Sequence, residues 1–134
     1  MKNVPVYGRD EIFALLDYDG CIAAVREAMK SFTAEAPQQP LRTIVPIAPA
    51  KLFGVMPGVL PVQETFGAKI VSVFGDPSRP GRSAHEGVVV VFDRETGQIK
   101  CIADAHSITS VRTAAASAVA SVPAEWFVVS CSDM

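Results

Sequence analysis

Four consecutive valines, Val88-Val89-Val90-Val91, constrain the fold of this chain more than any other stretch. A β-branched run fits a pleated sheet better than a helix. Successive strand residues point to opposite faces, so this run is apolar on both. A strand covered on both sides is expected, the cover coming from helices or from another subunit. Asp93-Arg94-Glu95-Thr96-Gly97 then supplies a turn, with Gly97 suited to the positive-φ position that such turns need. Gly87 to Phe92 and Gln98 to Ala103 therefore read as the two arms of a hairpin.

The neighbouring segments extend this pattern. Gly67 to Phe74 alternates like a strand and is rich in β-branched residues. Pro40-Leu41-Arg42-Thr43-Ile44-Val45-Pro46 is extended and proline-punctuated, and Lys51 to Met56 follows, with a turn expected at Pro57-Gly58. Gly75 to Gly81 reads as a loop. Ahead of these lie two short helices, Arg9 to Asp17 and Asp19 to Glu35. The second carries Ile22, Val25, Met29 and Phe32 on one face, with Asp19 as its cap and Pro37 ending it. Near the other end, Ile108, Val111, Ala115 and Val119 recur at helical spacing behind a cap at Ser107 or Thr109. The whole predicts an α+β fold: two N-terminal helices packed on a mixed, largely antiparallel sheet, ending in a further helix.

A length of 134 residues suits one domain. Charged residues make up 19% of the chain, against about 25% in ordinary domains, while 49% are hydrophobic. So lean a surface suggests that a partner covers part of it. A net charge of -2 gives no footprint for nucleic acid. No stretch reaches membrane-spanning length, and Met1-Lys2-Asn3-Val4-Pro5 lacks the apolar core of a signal peptide. Cys21, Cys101 and Cys131 form no C-x-x-C pair, so a disulfide framework is not expected and a cytoplasmic setting fits.

Three cations adjoin apolar ground. Arg42 precedes Ile44-Val45, Lys69 shares a strand face with Val71 and Val73, and Arg112 falls beside the apolar stripe of the last helix, in its first turn or so. A cation at a helix start opposes the macrodipole by roughly 0.3–1 kcal/mol, which an anion would reverse. Each cation taken singly has an ordinary explanation: a stem that snorkels to water, or an Arg112–Asp104 pair. Together they suggest a shared anion, a carboxylate gripped by guanidinium forks and an ammonium. Other chemistry is thin. His85 and His106 lack metal-type spacing and read as loop or hydrogen-bonding histidines, so no metal site is expected. Asp17, Asp19 and Asp104 read as caps or turn residues, and Trp126 as a core anchor. No G-x-G-x-x-G occurs anywhere.

An ordered set of motifs resembles the N-terminal half of the ornithine cyclodeaminase/mu-crystallin family. It runs through Gln39-Pro40-Leu41-Arg42-Thr43, Leu52-Phe53-Gly54-Val55-Met56-Pro57-Gly58, and Gly67-Ala68-Lys69-Ile70-Val71-Ser72-Val73-Phe74. It continues with His85-Glu86-Gly87-Val88-Val89-Val90-Val91-Phe92-Asp93 and Glu95-Thr96-Gly97, and closes on Ile108-Thr109-Ser110-Val111-Arg112-Thr113-Ala114-Ala115-Ala116-Ser117-Ala118. The resemblance implies a dimer-forming, substrate-binding domain over residues 1–122, whose last helix leads in the family to a Rossmann domain holding NAD or NADP. It implies that Arg42, Lys69 and Arg112 bind the substrate carboxylate, with Arg112 also beside the cofactor and Lys69 a candidate proton relay. It further implies an activity: conversion of ornithine to proline with release of ammonia, or reduction of a related cyclic imino acid.

Two places depart from the family. Ala84 stands where many members carry a hydroxyl residue, with Ser83 one step earlier. Residues 123–134, from Pro123 onward, resemble nothing in the family, and we expect a truncated or frameshifted product. The cofactor half and its acid/base aspartate are not found, so the chain alone is expected to bind no cofactor and to be inactive, with no catalytic residue of its own beyond Lys69. The alternatives are a module that binds a small amino-acid or imino-acid carboxylate, or a dimerising module without catalysis.

Overall fold

The valine run forms a central strand of a six-stranded sheet, and its hairpin closes as expected, with Gly97 at φ 67. The computed structural model of the chain describes residues 3–35, 40–60, 64–75, 78 and 84–121. In chain order these form β1 (Val6–Tyr7), α1 (Arg9–Leu15), α2 (Tyr18–Glu35), β2 (Thr43–Ala48), β3 (Lys51–Leu60) and β4 (Thr65–Phe74). They continue with β5 (His85–Asp93), β6 (Ile99–Asp104) and α3 (Ala105–Ser121). The strand order is β1-β6-β5-β4-β3-β2. Among the described residues β1 and β6 run parallel, and the other neighbours are antiparallel. The α+β expectation, with its mixed and largely antiparallel sheet, holds. Expectations for Pro37, Ser83, Trp126, Cys131, most of the Gly75–Gly81 loop and residues 123–134 lie outside the described residues.

Three local expectations are corrected. Pro57 and Gly58 do not turn the chain: β3 runs straight through them, pairing Pro57 with Ala68 and Gly58 with Gly67. The register with β2 runs from Val55 back to Lys51, so Pro57 lies beyond the β2 ladder, where a residue without an N–H is tolerated. The cap of α2 is Asp17, whose Oδ1 accepts from the Gly20 N–H at 2.6 Å, and Asp19 sits in the first turn instead. The cap of α3 is Asp104, neither Ser107 nor Thr109. Its Oδ2 accepts from the Ser107 N–H at 2.7 Å and from the Ser107 hydroxyl at 2.6 Å. Strand β6 therefore passes into α3 with no loop between them.

Alternation along β4 sends Gly67, Lys69, Val71 and Val73 toward α3, and Phe66, Ala68, Ile70, Ser72 and Phe74 to the far face. The core sits on the α3 side. Val71 and Ala103 of the sheet are buried with Ala105, Val111 and Ala115 of α3 and Ile12 of α1, and Ala115 is 0% exposed. Small alanines let the helix approach closely; α2 lies against α3 rather than over the strands. On the far face Phe66 and Phe92 stack with centroids 5.1 Å apart, while Val45, Phe53, Val59, Phe74 and Val88 stay exposed. Among the described residues the valine run is thus covered on the α3 side, while Val88 on the far face remains 38% exposed. Among the described residues no helix is long and apolar enough to cross a membrane.

Candidate functional site

Lys69 lies mid-strand in β4, flanked by Met56 of β3 and Val89 of β5. Its ammonium crosses to α3 and donates to the Thr109 hydroxyl at 2.6 Å. That hydroxyl in turn donates to the Ala105 carbonyl at 2.6 Å, the back-bond that a helical threonine makes one turn upstream. Burial pushes the Lys69 pKa below the ordinary lysine value, and the Arg112 guanidinium pushes it further the same way. Two like charges close enough to feel each other are stabilised when an anion joins them.

Arg42 stands just ahead of β2 and lines, with Lys69, a cavity of about 440 Å³ between the sheet and the start of α3. Its floor is apolar, formed by Val71, Val73, Leu52 and Ile44. Gly54 keeps that floor low: a Cβ there would press on Ile44 Cδ1 at 3.1 Å and Val71 Cγ2 at 3.2 Å. His85, Glu86 and His106 also line this cavity. Among the described residues no carboxylate pairs with Arg42, Lys69 or Arg112, and Glu86 forms no ion pair with either cation of its cavity.

Arg112 is not where the sequence reading puts it. Because α3 begins at Ala105, Arg112 is its eighth residue, exposed and two turns from the helix start. The macrodipole argument does not reach it, since that effect fades within one turn. Its ordinary alternative, a pair with Asp104, is not formed either. Arg112 lines a second depression of about 520 Å³, which also includes Lys69 and Met56. Lys69 is therefore common to both spaces, with Arg42 in the first and Arg112 in the second.

Thr109 and the two histidines carry no weight in the sequence reading. Thr109 is read there as one of two possible caps, and His85 and His106 as loop or hydrogen-bonding histidines. The structure brings all three to the cavity because β5 begins at His85 and α3 at Ala105. Among the described residues no cluster of histidine, cysteine and carboxylate side chains could hold a metal. Asp104 is a cap, as expected of it. Burial raises its pKa, but hydrogen bonds from the Ser107 side chain and backbone outweigh that and hold the carboxyl below its usual range.

A family model described as "Ornithine cyclodeaminase/mu-crystallin family" matches residues 5–122. Ketimine reductase mu-crystallin of Mus musculus is 36% identical over 126 residues, covering 90% of this chain and 40% of that protein. The Delta(1)-pyrroline-2-carboxylate reductase of Thermococcus litoralis, solved in complex with NADH and L-proline, superposes with a TM-score of 0.76 at 24% identity. It covers 85% of this chain and 36% of its own. An archaeal alanine dehydrogenase dimer with bound NAD gives a TM-score of 0.75 at 24% identity over 84% of this chain and 34% of its own. The chain thus spans about 40% or less of the length of these relatives.

Proposed function

The chain belongs to the ornithine cyclodeaminase/mu-crystallin family, and from that premise we propose that Arg42, Lys69 and Arg112 grip the carboxylate of a small amino or imino acid. The observation that carries this reading is the open pair of cations, Arg42 and Lys69, facing one apolar-floored cavity with no carboxylate partner among the described residues. An unpaired cation at a partly apolar site costs stability unless an anion completes it. The names of the relatives favour an imine next to a carboxylate over a simple amino acid. An apolar floor under a charged rim suits a compact ring with one acid group.

A nicotinamide cofactor is implied by the relatives that hold NAD or NADH. The residues described here fit only part of such a group. Arg112, exposed and with no acidic partner among the described residues, suits one anionic edge of it, but the 134 residues contain no glycine-rich cradle for a pyrophosphate. When bound, the nicotinamide supplies or accepts hydride at the carbon beside the carboxylate. The part of this chain is to fix that carboxylate, and so the reacting carbon, which is catalysis by positioning. Lys69, whose burial already disfavours its charged form, is the group suited to pass a proton.

On this reading the 134 residues by themselves bind the carboxylate without turning it over. Residues 1–122 act as the substrate-binding and dimerising unit, in a cytoplasmic setting. The exposed apolar far face of the sheet supports a homodimer. Titration calorimetry with L-proline and L-ornithine tests the reading: heat that is lost in Arg42→Ala and Lys69→Met supports it, and no heat in the wild type rejects it.

A further inference from the structure

The carboxylate grip just proposed rests on an ammonium at the end of a flexible four-carbon stem. We infer that Thr109 is the positioning residue that holds Lys69 toward the cavity and commits its nitrogen to donating. This inference rests on the proposed carboxylate site and adds a residue to it. Its basis is a two-step hydrogen-bond chain, Lys69 Nζ to Thr109 Oγ1 and Thr109 Oγ1 to the Ala105 carbonyl, both at 2.6 Å.

The chemistry follows from counting protons. A threonine hydroxyl has one proton and two lone pairs. The proton of Thr109 is used on the Ala105 carbonyl, so only lone pairs are left to face Lys69. The nitrogen of Lys69 must therefore donate there, and the ammonium does so better than the neutral amine. Thr109 thus opposes the two influences that disfavour the charged form, burial and the Arg112 guanidinium. One N–H of the ammonium is spent on the hydroxyl, and the other two are left for a carboxylate.

The same contact fixes the stem before a ligand arrives, so the ligand need not order it. Without Thr109 the long side chain would be drawn toward water, away from the apolar floor. The helix fixes the hydroxyl: Thr109 stands one turn past Ala105, which is itself buried against the sheet. Among the described residues the other titratable or charged groups of the two spaces are Arg42, His85, Glu86, His106 and Arg112, and no hydrogen bond or ion pair joins any of them to Lys69 Nζ.

The test compares Thr109→Val, nearly isosteric but without a hydroxyl, with Thr109→Ser, which keeps it. Each is measured by L-proline titration and by the pH titration of the Lys69 ε-methylene signal in 13C-labelled protein. The expected result is proline affinity about tenfold weaker in Thr109→Val, the scale of one hydrogen bond to a charged group, with recovery in Thr109→Ser. The Lys69 titration should move to lower pH in the valine variant and return in the serine variant, with thermal midpoints alike in both. Affinity and titration both unchanged in Thr109→Val would overturn the inference. So would equal losses in both variants together with a lowered thermal midpoint, which would mark a purely structural role. If the wild type binds no proline, the carboxylate site fails by itself. The Lys69 titration still decides, since an unmoved signal in the valine variant removes Thr109 from the role.

Discussion

The Lys69 ammonium on β4 and the Thr109 hydroxyl on α3 meet at 2.6 Å across forty positions of sequence. The contact is a product of register. Lys69 occupies the α3 side of the sheet because it alternates with Val71, and Thr109 faces it because the helix begins directly at Ala105. A helix starting two residues later would rotate Thr109 by roughly 200° about its axis, away from the strand.

Lys69→Met should separate binding from stability. The folded state disfavours the ammonium, so its removal leaves the protein at least as stable at pH 7, while L-proline affinity falls tenfold or more. The sign follows from the lowered pKa. The cost of the charge is present in full below the folded value and is relieved as pH rises through it toward 10.5. Urea unfolding of wild type and variant should therefore converge as pH rises through that window.

Asp104→Ala removes the carboxylate that caps α3 and should lower stability by about 1 kcal/mol at neutral pH. Because its folded-state pKa lies below 3.8, the contribution is complete above that value and disappears as pH falls through the lowered folded one. Denaturation at pH 7 and again in strong acid checks this. The gap between wild type and variant should be present in the first and shrink in the second.

Gly67→Ala and Gly97→Ala should differ sharply. A Cβ on Gly67 would fall on the Val90 carbonyl oxygen of the adjacent strand, so the β4–β5 ladder must part, and soluble folded protein should be lost. A Cβ on Gly97 meets nothing within 4 Å but inherits φ +67, a strain of roughly 1–2 kcal/mol that leaves a folded protein. Circular dichroism and thermal melts of the two variants decide. A stable Gly67→Ala protein would refute the account of this close approach.

Val88→Asp places a charge on the exposed far face of the sheet, opposite Ile70 and away from the cavity. If that face joins two copies, light scattering should show the wild type as a dimer and the variant as a monomer with its circular dichroism intact. A wild-type monomer would remove the homodimer from the proposal.

The central architecture was legible where short-range periodicity carries it. The valine run, the alternation of β4 and the Asp93–Gly97 turn each declare themselves within about ten residues, and each has the expected backbone form, although the far face of the valine run leaves Val88 exposed. Errors arose where a neighbour decides. Pro57-Gly58 looks like a turn in isolation, yet it lies in a strand because it pairs with Gly67-Ala68 of β4 and stands beyond the ladder with β2, which begins opposite Val55. Ser107 looks like a cap, yet Asp104 at the end of β6 reaches its amide first.

By itself, the order of residues determined most of the strands and helices, though not β1 or the run of β3 through Pro57-Gly58, together with the α+β class and the family to which the motifs belong. It also singled out three cations as the chemistry worth pursuing. Only the tertiary structure decided that Arg42 and Lys69 face one cavity while Arg112 and Lys69 share another, and that Thr109 and the two histidines join the first. The physical reason is range. Periodicity and turn chemistry act over a few bonds, whereas the place of a side chain in a cavity depends on strand register and on the residue at which a helix begins, and contacts distant in sequence set both.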